Sequence, residues 1–72
     1  MKLTILCKDE GSGKNGCPSV YLTDAGDLVI QGEALDGAAF AQLENVLPGE
    51  GAVCVSADLL TRAVELYLGQ AG

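Results

Sequence analysis

The sequence predicts a small α+β domain, with an antiparallel sheet of about four strands in the order β-β-β-short α-β-α and the last helix packed on one sheet face. Two observations predict this class. Residues 19–23 and 27–31 are strand-like runs joined by Asp24-Ala25-Gly26, and Gly suits the positive-φ position that closes such a hairpin loop. The chain then ends in a helical amphipathic pattern, which needs an apolar sheet face to cover.

The first strand is predicted from alternation. Leu3, Ile5 and Cys7 recur at every second position, so we expect a strand that buries these three side chains. Residues 8–16 follow with three glycines, four charges and no apolar side chain, which predicts a surface loop. Within the hairpin, Tyr21 and Val29 are expected to form a cross-strand pair.

The second half of the chain contains clear start and stop signals. Asp36 is a candidate N-cap for a short helix over 37–45, and Pro48-Gly49 has the order of a turn. Residues 52–55 predict a further strand. Ser56 is a good N-cap for the last helix, which we expect to end with Gly69 as its C′ residue.

Length and charge limit the classes of function. The 72 residues form one domain, and a chain of this size buries only about 60% of the surface that its unfolded form exposes. Ten acidic and four basic residues give a net charge of −6, which disfavours direct nucleic-acid binding and favours a basic partner. Forty-nine per cent hydrophobic residues indicate that some apolar surface is covered by another chain.

The same sequence gives no sign of a membrane segment. No run of about 18 apolar residues is present. Met1 begins a stretch like a signal peptide, but Lys8-Asp9-Glu10 ends the apolar run too early. We therefore expect a cytoplasmic protein.

Catalytic groups are scarce, and we predict no enzyme and no cofactor. The chain contains no His, so Ser-His and Cys-His pairs are excluded. Asp24 and Asp27 flank a hairpin turn, where Asp is ordinary. Residues 11–15 look like a phosphate-binding loop, but no Ser or Thr follows Lys14, and Pro18 blocks the helix that would hold a phosphate.

Three cysteines leave several interpretations open. Cys7, Cys17 and Cys54 with one carboxylate are a candidate zinc site, although the C-x2-C spacing of standard sites is missing. A Cys7–Cys17 disulfide would close the loop, but the cytoplasm disfavours persistent disulfides. The simplest alternative is that Cys54 and Cys7 are small buried hydrophobes.

Several motifs occur along residues 17–60 in a recognisable order. They are a Cys-Pro, a strand with Tyr, a Thr-Asp-x-Gly hairpin, a Val-Gln-Gly end and an acidic-Leu-Leu helix start, found at Cys17-Pro18, Tyr21, Thr23-Asp24-Ala25-Gly26, Ile30-Gln31-Gly32 (with Ile in place of Val) and Asp58-Leu59-Leu60. In these motifs the chain resembles small acidic proteins of Streptomyces and related actinobacteria. More distantly, it is similar to short acidic domains encoded beside XRE-type helix-turn-helix regulators.

The resemblance implies association with a helix-turn-helix transcriptional regulator of development or antibiotic production, or with a toxin–antitoxin-like partner, and no catalysis. We therefore predict an acidic protein-interaction module, with Tyr21, Thr23, Val29 and Gln31 on the less buried hairpin face as partner-binding residues. A metal-binding or thiol redox module that uses the three cysteines is the alternative. A homodimer formed by an exposed sheet edge is a third.

Overall fold

A computed structural model describes residues 1–9 and 18–71 of the chain. The elements are β1 (Leu3–Lys8), β2 (Ser19–Thr23), β3 (Leu28–Gln31), β4 (Glu33–Ala34), α1 (Gly37–Phe40), β5 (Val53–Cys54) and α2 (Ala57–Ala71). The predicted α+β class is confirmed. The candidate phosphate-binding loop at 11–15, most of the predicted surface loop and Cys17 lie outside the described residues.

A three-stranded antiparallel sheet has the order β1-β2-β3. The β2–β3 hairpin is confirmed, with Tyr21 paired with Val29 as predicted. In its turn the backbone N–H of Thr23 donates to the carbonyl of Asp27 at 2.8 Å, and Gly26 has φ +93°. The turn therefore uses a backbone region that glycine enters at little cost.

The alternation predicted for β1 is interrupted by a β-bulge. Ile5 pairs with Tyr21, but Cys7 pairs with Val20, so Leu6 is an extra residue in the strand. An extra residue shifts the side chains that follow it onto the opposite face. Cys7 is buried as expected and Leu6 packs against the core, whereas the predicted burial of Leu3 and Ile5 is wrong.

The core lies between α2 and strands β1 and β2. Its buried hydrophobic residues are Cys7, Val20, Leu59 and Ala63, with Leu6 and Val55 packed against them. The predicted N-cap is confirmed, since the backbone N–H of Leu59 donates to Ser56 Oγ at 3.1 Å. The predicted C′ role of Gly69 is wrong, because α2 continues through it to Ala71. A helical glycine costs about 1 kcal/mol, which neighbouring helix formers can offset.

Residues 33–54 form a separate projection, which we call the arm. The predicted strand at 52–55 is β5, and it pairs with β4 in a second, two-stranded sheet and not with the first sheet. Asp36 caps α1 as predicted, accepting from the N–H of Ala39 at 2.8 Å. The helix is shorter than predicted because Gln42 and Leu43 donate to carbonyls three residues back, which tightens the chain.

Candidate functional site

The face of the three-stranded sheet opposite α2 is the candidate site, and we call it the open face. Val20 belongs to the core under α2, so its neighbour Tyr21 is on the other face, together with the residues that pair with it. The open face carries Leu3, Ile5, Tyr21, Val29 and Gln31, and the β2 residues Ser19 and Thr23 occupy buried positions on the same face. Leu3 is 45% exposed and Ile5 is 49% exposed, so apolar surface on this face is accessible to a partner.

The structure brings three of the four predicted partner-binding residues together. Tyr21 lies in the central strand, between Ile5 on one side and Val29 on the other. Its hydroxyl donates to Gln31 Oε1 at 2.9 Å. This hydrogen bond links Tyr21 to Gln31 on the open face, and tyrosine is among the residues that contribute most to protein interfaces.

Thr23, the fourth predicted residue, has a different role. It is only 4% exposed. Its Oγ1 accepts hydrogen bonds from the backbone N–H groups of Ala25, at 3.2 Å, and Asp27, at 2.9 Å. We therefore assign Thr23 to the hairpin turn and not to the contact surface.

Sequence reasoning missed Leu3 and Ile5 as site residues. Their alternation with polar positions correctly predicted a strand. It also predicted that both side chains are buried, whereas both are exposed. The signal that would have corrected it is the apolar Leu6 beside Cys7, two consecutive residues that both contact the core. Such a pair is typical of a bulge as well as of a strand with two covered faces.

The cysteines do not assemble into a site within the described residues. Cys7 is a free thiol in the core, so its expected burial is confirmed. Cys54 is a free, exposed thiol in the arm, so its expected burial is wrong. In residues 1–9 and 18–71, no three Cys, Asp or Glu side chains are placed to hold a metal ion together. The contribution predicted for Cys17 lies outside the described residues.

A shallow depression of about 370 Å³ lies along the exposed side of α2. Its lining residues are Ala57, Leu60, Thr61, Val64 and Glu65. All of them belong to one helix, so the depression has no opposite wall. Small-molecule sites are concave and enclose most of their ligand, which this surface does not do.

Neither described helix is both long enough and apolar enough to cross a bilayer. The chain matches no family model, no curated protein and no solved structure. Its functional interpretation therefore depends on the open face, the arm and the charge of the chain.

Proposed function

We propose that the protein is a non-catalytic interaction module that binds another protein through the open face. The observation that carries this proposal is the exposure of Leu3 and Ile5 beside the Tyr21–Val29 pair. Contiguous exposed apolar surface on a small protein marks interaction sites. Because these side chains project from paired strands, binding would cost little backbone entropy.

The partner that we propose is a basic protein. The chain carries ten acidic and four basic residues, so its field attracts basic surfaces and repels acidic ones. A helix-turn-helix regulator, or a toxin–antitoxin-like partner, is the candidate that follows from the sequence resemblance. Direct DNA binding does not fit this charge, because phosphate contacts require Lys and Arg.

The test is affinity capture with a matched pair of variants. Ile5→Thr removes apolar surface from the open face and keeps a β-branched side chain, and Val64→Thr makes the same kind of change on the exposed side of α2. We expect the wild type and Val64→Thr to recover the same basic protein from host extract. Recovery with Ile5→Thr should fall roughly fivefold or more, as for a central interface residue.

Two results would contradict the proposal. One is equal recovery with both variants, which would show that the open face does not contact the partner. The other is a dimer of the purified wild type, seen by light scattering, that Ile5→Thr dissociates. In that case a second copy of the chain, and not a basic protein, occupies the open face.

A further inference from the structure

We propose that the arm is a second docking surface, and that it binds a basic amphipathic segment of a partner protein. It is distinct from the open face, so this inference does not depend on the function proposed above. The apolar side chains of the arm, the hydrogen-bonded turn at its tip and its charge each contribute to the inference.

The arm has backbone structure but no core of its own. The structure describes all of residues 33–54, and none of them is buried. Exposed apolar side chains are spread along it, at Leu43, Val46, Leu47 and Val53. A two-stranded sheet alone is marginally stable in water, and it gains stability when its apolar side chains are covered.

The tip of the arm is held in a defined shape. The N–H of Glu50 donates to the carbonyl of Leu47 at 3.0 Å, and the N–H of Leu47 donates to Glu50 Oε1 at 3.0 Å. Gly49 has φ +90°, as the third position of a type II turn after Pro48 requires. This closed turn presents Leu47, which is 63% exposed, beside a carboxylate.

The charge of the arm indicates which kind of partner segment would bind to it. Its four charged residues, Glu33, Asp36, Glu44 and Glu50, are all acidic, and the basic residues of the chain lie elsewhere in the sequence. Two arms brought face to face would juxtapose like charges, which disfavours a second copy. A segment with both Lys or Arg and apolar side chains complements both features of the arm.

The experiment uses a labelled synthetic peptide of about 18 residues, with Lys and Leu at amphipathic helical spacing, and a second peptide in which Glu replaces Lys. Fluorescence anisotropy measures the binding of each peptide to the full chain. We expect the Lys peptide to bind, more weakly at about 200 mM than at about 50 mM salt, and the Glu peptide not to bind.

Two pairs of variants locate the site. Glu44→Gln with Glu50→Gln removes two charges while leaving an oxygen at position 50 to accept from Leu47, and Asp24→Asn with Glu65→Gln removes two charges outside the arm. Leu47→Ser is matched by Leu68→Ser on α2, where Leu68 is 61% exposed. We expect each arm variant to weaken binding roughly fivefold, and each control to leave it within about twofold.

The inference fails if the Lys peptide does not bind or if the controls weaken binding as much as the arm variants. It also fails if light scattering shows a dimer that Leu47→Ser dissociates, since a second copy then covers the arm. Circular dichroism of each variant verifies that the fold is retained. The charge variants, which preserve the shape of the side chains, keep the test valid if Leu47→Ser unfolds the arm.

Discussion

At the scale of single residues, Thr23 stabilises the turn after β2, and Gly32 allows two segments of the chain to lie close together. Thr23 ends β2, and its hydroxyl accepts two N–H groups of the turn that follows. Gly32 lies between β3 and the arm, where an added Cβ would be 2.6 Å from Val55 Cγ1 and 3.0 Å from the carbonyl oxygen of Cys54. A side chain at this position would force the chain at Gly32 apart from Cys54 and Val55, which lead into α2.

The role of Thr23 can be tested with Thr23→Val, which preserves the shape of the side chain and removes the acceptor. Two turn N–H groups would lose their partner, so we expect the free energy of unfolding to fall by about 1–2 kcal/mol. Thr4→Val is the control, because Thr4 is exposed on β1. Urea denaturation of both variants measures the difference, and equal stability would show that the hydroxyl of Thr23 contributes nothing.

At the scale of elements, α2 and β1 depart from their local patterns in different ways. Gly69 is a usual helix terminator, yet α2 passes through it, with a φ outside the left-handed region. The bulge in β1 places consecutive residues, Leu6 and Cys7, against the core. The bulge lets β1 follow the core that it covers, whereas none of residues 64–70 of α2 is buried, so burial does not explain the passage of the helix through Gly69.

Because Gly69 lies inside the helix, replacing it with Ala is expected to stabilise the protein. At a C′ position the same replacement would destabilise it. Gly69→Ala should stabilise the protein by about 0.5–1 kcal/mol, because Ala is the better helix former and no atom lies within 4 Å of the added Cβ. Gly49→Ala should destabilise it by about 1–2 kcal/mol, since φ is +90° there. Thermal denaturation distinguishes the two. A loss of stability in Gly69→Ala would indicate that the helix ends before this residue.

At the scale of the whole molecule, the core is small and the molecule is extended for a chain of this length. The radius of gyration is 13.4 Å, whereas a compact domain of this length is expected near 11 Å. The molecule measures 39 × 30 × 19 Å, so it is flat, and much of its apolar surface is accessible. Stability therefore depends on few side chains, and the remaining apolar surface is available for partners.

We expect Leu59→Ala to remove about half of the stability of the isolated protein. Leu59 is fully buried, and such a truncation costs about 2–5 kcal/mol, against a total of about 4–11 kcal/mol for a domain of this length. Leu68→Ala, at an exposed position on the same helix, should change stability by about 0.5 kcal/mol or less. Melting temperatures followed by circular dichroism provide the comparison. Similar melting temperatures for the two variants would mean that the core does not lie where the structure places it.

Local chemistry along the chain was sufficient to predict the β2–β3 hairpin, the N-caps at Asp36 and Ser56, and the Pro48-Gly49 turn. Each of these depends on contacts within a few residues. The same reasoning identified Tyr21, Val29 and Gln31 as one surface, because alternation places them there once the hairpin is known.

The exposure of Leu3 and Ile5 and the pairing of β4 with β5 were decided only in the folded molecule. The bulge in β1 changes which sheet face the following side chains occupy, and it forms through pairing with a distant strand. β5 pairs with β4 and not with an edge of the first sheet. Alternation and propensity along the chain contain no information about which distant strand will pair. The open face and the arm are therefore products of tertiary contacts, since both carry apolar side chains that the four buried hydrophobic residues of the described chain leave uncovered.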